Sequence, residues 1–173
     1  MLQLSNALLA IPVMSLRTGA KVAVAEAPIL NPNNLRIEGW YCTDIFSKET
    51  LILLRQDIRE ILPQGIAIDD HEVLTAPDDL IRLQKVMELA FELIGKQVIT
   101  DRKRRVGKVN DYATDIDSLM VQKLYVTEPL FKNFAGGQLS IDRTQIIEIT
   151  NRHVKVRDVE EKVTSPFPAA AGA

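Results

Sequence analysis

Hydrophobic and polar positions alternate with two different periods along this chain. From Leu35 to Cys42, Leu35, Ile37 and then Gly39 and Tyr41 alternate with Arg36, Glu38 and Trp40. A period of two predicts a half-buried strand. From Thr75 to Phe91 the period lengthens. Leu80, Leu83, Met87 and Ala90 recur at helical spacing, and Ile81 and Val86 widen the stripe. Arg82, Gln84, Lys85 and Glu88 fill the other face. Pro77 suits a first helical turn, where a missing N–H costs nothing. Asp78 and Asp79 place negative charge at the positive end of the helix dipole. The pattern predicts one helix here, with β-structure on both sides.

Before the helix, Leu2–Ile11 reads as a short helical turn and Val13–Leu16 as a strand. Arg17–Ala20 is a turn in which Gly19 supplies a positive φ. Val22–Leu30 is extended but contains Pro28, which removes a ladder donor and predicts an edge strand or a bulge. Asn31–Asn34 is a turn, Thr43–Thr50 a polar loop and Leu51–Leu54 a strand. Asp57–Ile61 and Gly65–Ile68 follow. After the helix come Val98–Thr100, a turn at Asp101–Arg105, Val106–Thr114, a turn at Asp115–Ser118 and Leu119–Thr127. A loop at Glu128–Gly137 leads to Gln138–Ile141, Gln145–Ile149 and His153–Val156.

The two sides match. The segment N-P-N-N-L-R-I-E-G-W-Y from Asn31 lies on D-I-D-S-L-M-V-Q-K-L-Y from Asp115, so Leu35 meets Leu119, Ile37 meets Val121 and Tyr41 meets Tyr125. R-Q-D-I-R-E-I from Arg55 lies on R-T-Q-I-I-E-I from Arg143, and Ile66 and Ile68 fall on Val154 and Val156. Each copy is about 70 residues of short strands with regular turns, the signature of a small β-barrel. A barrel of that size has a thin core, so two copies around one helix bury more than either alone.

At these residues the chain resembles the PRC-barrel family. The second copy carries the closer match: Val98-Ile99-Thr100, then Val106-Gly107-Lys108-Val109-Asn110-Asp111, then Asp115 to Leu119. The first copy departs from it, with Ala23 in place of Gly107 and with Pro28. The resemblance covers residues 7–76 and 92–158. The module is shared with the H subunit of the photosynthetic reaction centre and with the C-terminal domain of a ribosome maturation factor. It implies a mainly β fold of two tandem small PRC-type β-barrels joined by one α-helix. The boundaries are 1–76, a linking helix at 77–91, 92–158, and a disordered tail at 159–173.

Composition narrows the chemistry. The chain has 173 residues with a formal net charge of −2, so no overall field calls for nucleic acid or acidic lipid. The lone cysteine, Cys42, has no disulfide partner and reads as a buried small hydrophobe. No apolar run is long enough to span a bilayer. The first residues lack a basic signal-peptide n-region, and the expected location is the cytoplasm. His71 and His153 lie in different halves without close partners, and Asp69-Asp70-His71-Glu72 reads as a solvated acidic connector rather than a metal site. No nucleophile sits beside a base and no glycine loop cradles phosphate. The reading is therefore a non-enzymatic protein, with no cofactor, no metal and no small-molecule substrate expected.

Two stretches stand out as candidate partner-binding residues. Arg102, Lys103, Arg104 and Arg105, backed by Lys108, concentrate positive charge on one turn. The run reads as a solvated turn, as a contact for an acidic partner, or as a nucleic-acid contact, the last without aromatic support beyond Tyr112. Phe131 and Phe134 form an apolar patch or cap a barrel end. Trp40 and Tyr41 point to opposite faces, so one of them faces outward. The leading expectation is an interaction or scaffold module with a protein partner. The alternatives are a factor contacting ribosomal protein or rRNA, and a peripheral adaptor at a membrane-bound complex. The tail's Pro166-Phe167-Pro168 is either a docking motif or a plain end.

Overall fold

Short apolar strands separated by Gly, Asn, Asp and Pro turns fold here into extended sheet. The computed structural model describes residues 1–127 and 138–158. Among the described residues it is mainly β, with thirteen strands in one mixed sheet and one α-helix. The strands up to the helix are β1 (Leu2–Leu4), β2 (Ile11–Ser15), β3 (Lys21–Asn31), β4 (Arg36–Asp44), β5 (Thr50–Leu54), β6 (Ile58–Leu62) and β7 (Gly65–Ile68). The helix α1 spans Ile81–Glu88. Then come β8 (Gln97–Thr100), β9 (Arg105–Asp115), β10 (Met120–Thr127), β11 (Gln138–Asp142), β12 (Ile146–Ile149) and β13 (His153–Val156).

The pairing scheme of β2–β7 recurs in β8–β13. β2 runs antiparallel to β3 and parallel to β7, and β8 runs antiparallel to β9 and parallel to β13. Tyr41 lies opposite Ile52, and Tyr125 opposite Ser140. Ile58 lies opposite Ile68 and Ile146 opposite Val156, each followed by a register shift at the next pair. A 3-10 turn precedes β6 at Arg55–Asp57 and β12 at Arg143–Gln145. The second of these is closed by a capping box between Asp142 and Gln145.

The two sets meet where β4 and β10 touch, at the single register pair Arg36–Met120. One core crosses the meeting point: Ile37, Trp40 and Ile66 belong to the same apolar cluster as Val121, Leu124 and Val154. Removing such side chains from water is the main favourable term that holds the sheet together.

The helix is shorter than its pattern predicts. Pro77–Asp79 form a separate 3-10 turn, and Leu80 leaves the helical region at φ −102°, ψ 69°. Ala90 sits at φ 41°, past the helix end. Leu80, Leu83, Val86 and Met87 do form the inward stripe, packed on Ile29 and Ile52. Ile81 faces solvent instead.

Both β3 and β9 extend past the strand that flanks them. β1 pairs with β9 at Ala113–Asp115, beyond β8. β2 ends alongside Ala25, so Pro28 lies on a stretch of β3 with no strand on that side among the described residues, and with register shifts before and after it. Pro28 and the following Pro32 offer no N–H to an added strand. There α1 packs over Ile29 instead. The proline signal thus marks both an open edge and bulges.

Trp40 is fully buried, and its indole N–H donates to the Leu8 carbonyl at 3.0 Å. It is a core residue and presents no face to a partner. Tyr41, half-buried, packs beneath α1. Cys42 is buried, and burial pushes its thiol up to about 12.

Candidate partner-binding surface at the basic hairpin

The hairpin joining β8 to β9 is built by Thr100. Its amide donates to the Arg104 carbonyl at 2.9 Å, its carbonyl accepts from Lys103 at 2.9 Å, and its hydroxyl accepts from the Arg104 amide at 3.1 Å. Lys103 takes the left-handed conformation at φ 61° that closes so short a turn. Thr100 itself is buried, so the turn is anchored from below. Gly107 then lets β9 run close to β10, because a side chain there would strike the Thr127 carbonyl.

This construction displays the charges. Arg102, Lys103, Arg104, Arg105 and Lys108 are all exposed. Arg104 pairs with Asp158 at 2.9 Å, and the Asp158 amide donates to Asp101 at 3.2 Å, which ties the hairpin to the chain after β13. Arg102, Lys103, Arg105 and Lys108 form no ion pair among the described residues. Between Lys96 and Lys108 there are six basic side chains against Asp101 alone, a local +5 in a chain of net charge −2. A cluster of unpaired cations on a small turn is a surface that favours an anionic partner. Tyr112 is buried, with its hydroxyl pushed up to about 12 by burial and secondarily by Asp111, and offers no stacking face.

The corresponding turn of the first half carries less charge, only Arg17 and the exposed Lys21. Arg17 pairs with Asp70 at 2.8 Å, and Asp70 also accepts from the Ser15 hydroxyl at 3.0 Å and the His71 amide at 2.8 Å. Asp69 holds Arg59 through two hydrogen bonds. The His71 ring meets Asp44 at 2.8 Å. Burial alone would raise the Asp44 carboxyl, but hydrogen bonds from the Ser47 hydroxyl and amide, with His71 and Phe46, outweigh it and hold the group well below the usual carboxylate range. The stretch Asp69–His71 is therefore a bonded clasp that ties the start of the linker to β2, β4 and β6, not a solvated connector. Among the described residues no group of three His, Cys, Asp or Glu side chains is placed to hold a metal ion.

Phe131 and Phe134 lie outside the described residues. Sequence reasoning passed over Phe46, which is 69% exposed and packs edge-on to His71 with ring centroids 5.3 Å apart. It also missed Arg143, whose guanidinium donates to Val121 in its own half and to Asn34 in the other. Its match to Arg55 was legible; the cross-contact was not. A groove of about 590 Å³ lies between α1 and the end of β3, lined by Asn31, Leu54, Leu80 and Val86 among others. Its Arg55 and Glu38 lie 3.9 Å apart and offset each other.

No helix among the described residues is long and apolar enough to cross a membrane. No protein-family model matches the chain, and no curated protein matches it.

Proposed function

We propose that this chain is a non-enzymatic interaction or scaffold module of the PRC-barrel type, working in the cytoplasm. In this reading residues 1–76 and 92–158 are two copies of one small barrel, and 77–91 link them. The recurrence of the strand scheme of β2–β7 in β8–β13 supports the duplication. The observation that carries the interaction role is the unpaired charge of Arg102, Lys103, Arg105 and Lys108 on one anchored hairpin, while Arg17, on the equivalent first-half turn, is neutralised by Asp70. A surface that carries four unpaired cations in one copy and only Lys21 beside a paired Arg17 in the other serves recognition better than stability. The partner is an acidic protein surface. A ribosomal particle is the second reading, favoured by the same charge, and a peripheral adaptor at a membrane-bound complex is the third.

The test is capture of partners by the tagged chain and by an Arg102→Glu plus Arg105→Glu variant, each with and without RNase. Proteins retained through RNase and lost on charge reversal support the proposal. Ribosomal proteins lost on RNase treatment, with binding that falls steeply with salt, support the RNA reading instead. Flotation with anionic vesicles, abolished by the same charge reversal, supports the membrane reading. Identical captures by both chains refute a role for the hairpin.

A further inference from the structure

Two arginines, Arg36 and Arg143, stand at the junction of the halves. Arg36 lies opposite Met120, at the pair that joins β4 to β10, and its Nη2 donates to the Met120 sulfur at 3.6 Å. Sulfur is a weak acceptor. The Arg36 Nε is buried and has no hydrogen-bond partner. Arg143 donates to the Val121 carbonyl in its own half and to the Asn34 carbonyl in the other. Burial, and secondarily the charge of Arg36, push the Arg143 guanidinium below its usual value. Like charges in a partly buried place repel each other unless an anion joins them.

Neither arginine forms an ion pair among the described residues. The carboxylates on neighbouring elements have other partners. Asp115 takes the N-terminal ammonium and the Ser118 hydroxyl, Glu148 takes Lys155, and Asp142 accepts from Thr144. Thr127 and Asp158, which lead into the undescribed residues, stand far from Arg36. Thr127 is at the other end of β10 from Met120, about 23 Å of strand away, and Asp158 is tied to Arg104 beyond the other end of β9, about 33 Å from Asp115. The acidic side chains next to them, Glu128, Glu160 and Glu161, do not span those distances.

The first half has the counter-charge that the second lacks. Glu38 and Gln122 are the extra residues of matching bulges. Glu38 falls between the pairs Leu30–Ile37 and Ile29–Gly39, and Gln122 between Thr114–Val121 and Ala113–Lys123. Arg55, the counterpart of Arg143, has Glu38 at 3.9 Å. Arg143 has the amide of Gln122 at the position equivalent to that carboxylate. Arg143 also lines a cavity of about 230 Å³ together with Asn33 and Asn34 of the first half.

We propose that the junction of the halves binds a phosphate group, held by the guanidinium groups of Arg36 and Arg143 beside the Asn33–Asn34 turn. Arginine presents paired N–H donors that match phosphate oxygens, and it keeps its charge when partly buried. The ligand touches Arg36 in one half and Arg143 in the other, so it stabilises their closed arrangement. The site is separate from the basic hairpin and does not depend on what the hairpin binds.

Thermal melts of the full chain in millimolar inorganic phosphate, against sodium chloride of equal ionic strength, test the proposal. The low concentration keeps the general stabilising action of phosphate small. Phosphate raises the melting temperature saturably. Arg36→Met gives the position the side chain that its counterpart carries, and Gln122→Glu restores the carboxylate present in the first half. Each weakens the phosphate dependence at least about tenfold. Gln122→Glu keeps both arginines, so its effect is not a loss of their packing. The same titration with O-phosphoserine separates two sources of the group: equal affinity assigns the free ion, tighter binding assigns a phosphate ester, and both support the site. The absence of a saturable shift in the unsubstituted chain overturns the proposal. So does a shift that both variants retain, or one lost instead in Arg102→Glu plus Arg105→Glu, which would assign the anion to the basic hairpin.

Discussion

Leu35 and Leu119 hold the two halves together by the same contact made twice. The Ile37 amide donates to the Leu119 carbonyl at 2.8 Å, and the Val121 amide donates to the Leu35 carbonyl at 2.9 Å. Each leucine closes an equivalent turn, donating to Asn31 and Asp115 respectively at 2.8 Å. Both are buried, and both take a left-handed backbone, at φ 52° and 55°. A residue contacting its own counterpart's neighbour, with the reverse contact beside it, is the self-complementary arrangement of a two-fold dimer. Here both partners belong to one chain.

That symmetry sets the first prediction. Leu35→Ala and Leu119→Ala each remove a buried leucine and each cost about 2–4 kcal/mol in urea unfolding. The backbone bonds survive both changes, but the two side chains belong to one apolar cluster where the halves meet, so the double variant loses less than the sum. Strict additivity would mean that the two sites do not share an interface.

Close backbone approach makes a second. Gly107→Ala drives a methyl into the Thr127 carbonyl, which belongs to the sheet and has no room to move. It costs about 3 kcal/mol. Gly19→Ala meets nothing within 4 Å but sits at φ +69°, and costs about 1 kcal/mol from backbone strain alone. Thermal melts of the two variants should rank in that order.

The depressed Asp44 carboxyl predicts acid sensitivity. Its folded value lies below its unfolded value, so its stabilising contribution is complete above the unfolded value of about 3.9 and is lost as pH falls toward the folded value. Asp69, Asp70, Asp115, Asp142 and Glu148 are shifted the same way by their hydrogen bonds. Stability therefore declines below about pH 5. Asp44→Asn costs about 1–3 kcal/mol at pH 7 and much less at pH 2, read from urea midpoints at the two pH values. An equal loss at both would contradict the assignment.

The burial of Trp40 predicts its spectrum. As the chain's single tryptophan, it reports one site. Its emission is blue-shifted and resists quenching by iodide. Trp40→Phe removes the donor to Leu8 and costs about 1–3 kcal/mol, because a buried carbonyl loses its partner.

The turns and strands were legible because their chemistry is local. Gly19 does sit at positive φ, and the Asn31–Leu35 and Asp115–Leu119 turns lie where their Asn, Asp and Pro residues put them. The long-range features were not. β1 reads as a helical turn, and only the 3-10 turn at Ser5–Leu8 matches that; Leu2–Leu4 pair with β9, more than a hundred residues away. Strict alternation put Trp40 with Arg36 and Glu38. The register shift between Ile29 and Leu30 leaves Glu38 as an extra residue in β4, and the strand does not keep one phase: Ile37 and Gly39 are buried and then Trp40 and Cys42. Helical spacing carried on through Ala90, although Leu89 caps the helix and the backbone turns left-handed at Ala90 itself. Of the candidate surface, the charged turn was readable from composition. Its anchoring by Thr100 and Asp158 depends on contacts that composition does not contain.

Two like halves that close on each other should unfold as one unit. Equilibrium unfolding followed at once by Trp40 fluorescence and far-ultraviolet circular dichroism tests it, because Trp40 lies in the first half and the dichroism reports both. The two transitions should coincide, and Leu119→Ala, in the second half, should move the Trp40 transition as far as the dichroism. Two separated transitions, with the Trp40 midpoint untouched by Leu119→Ala, would contradict it.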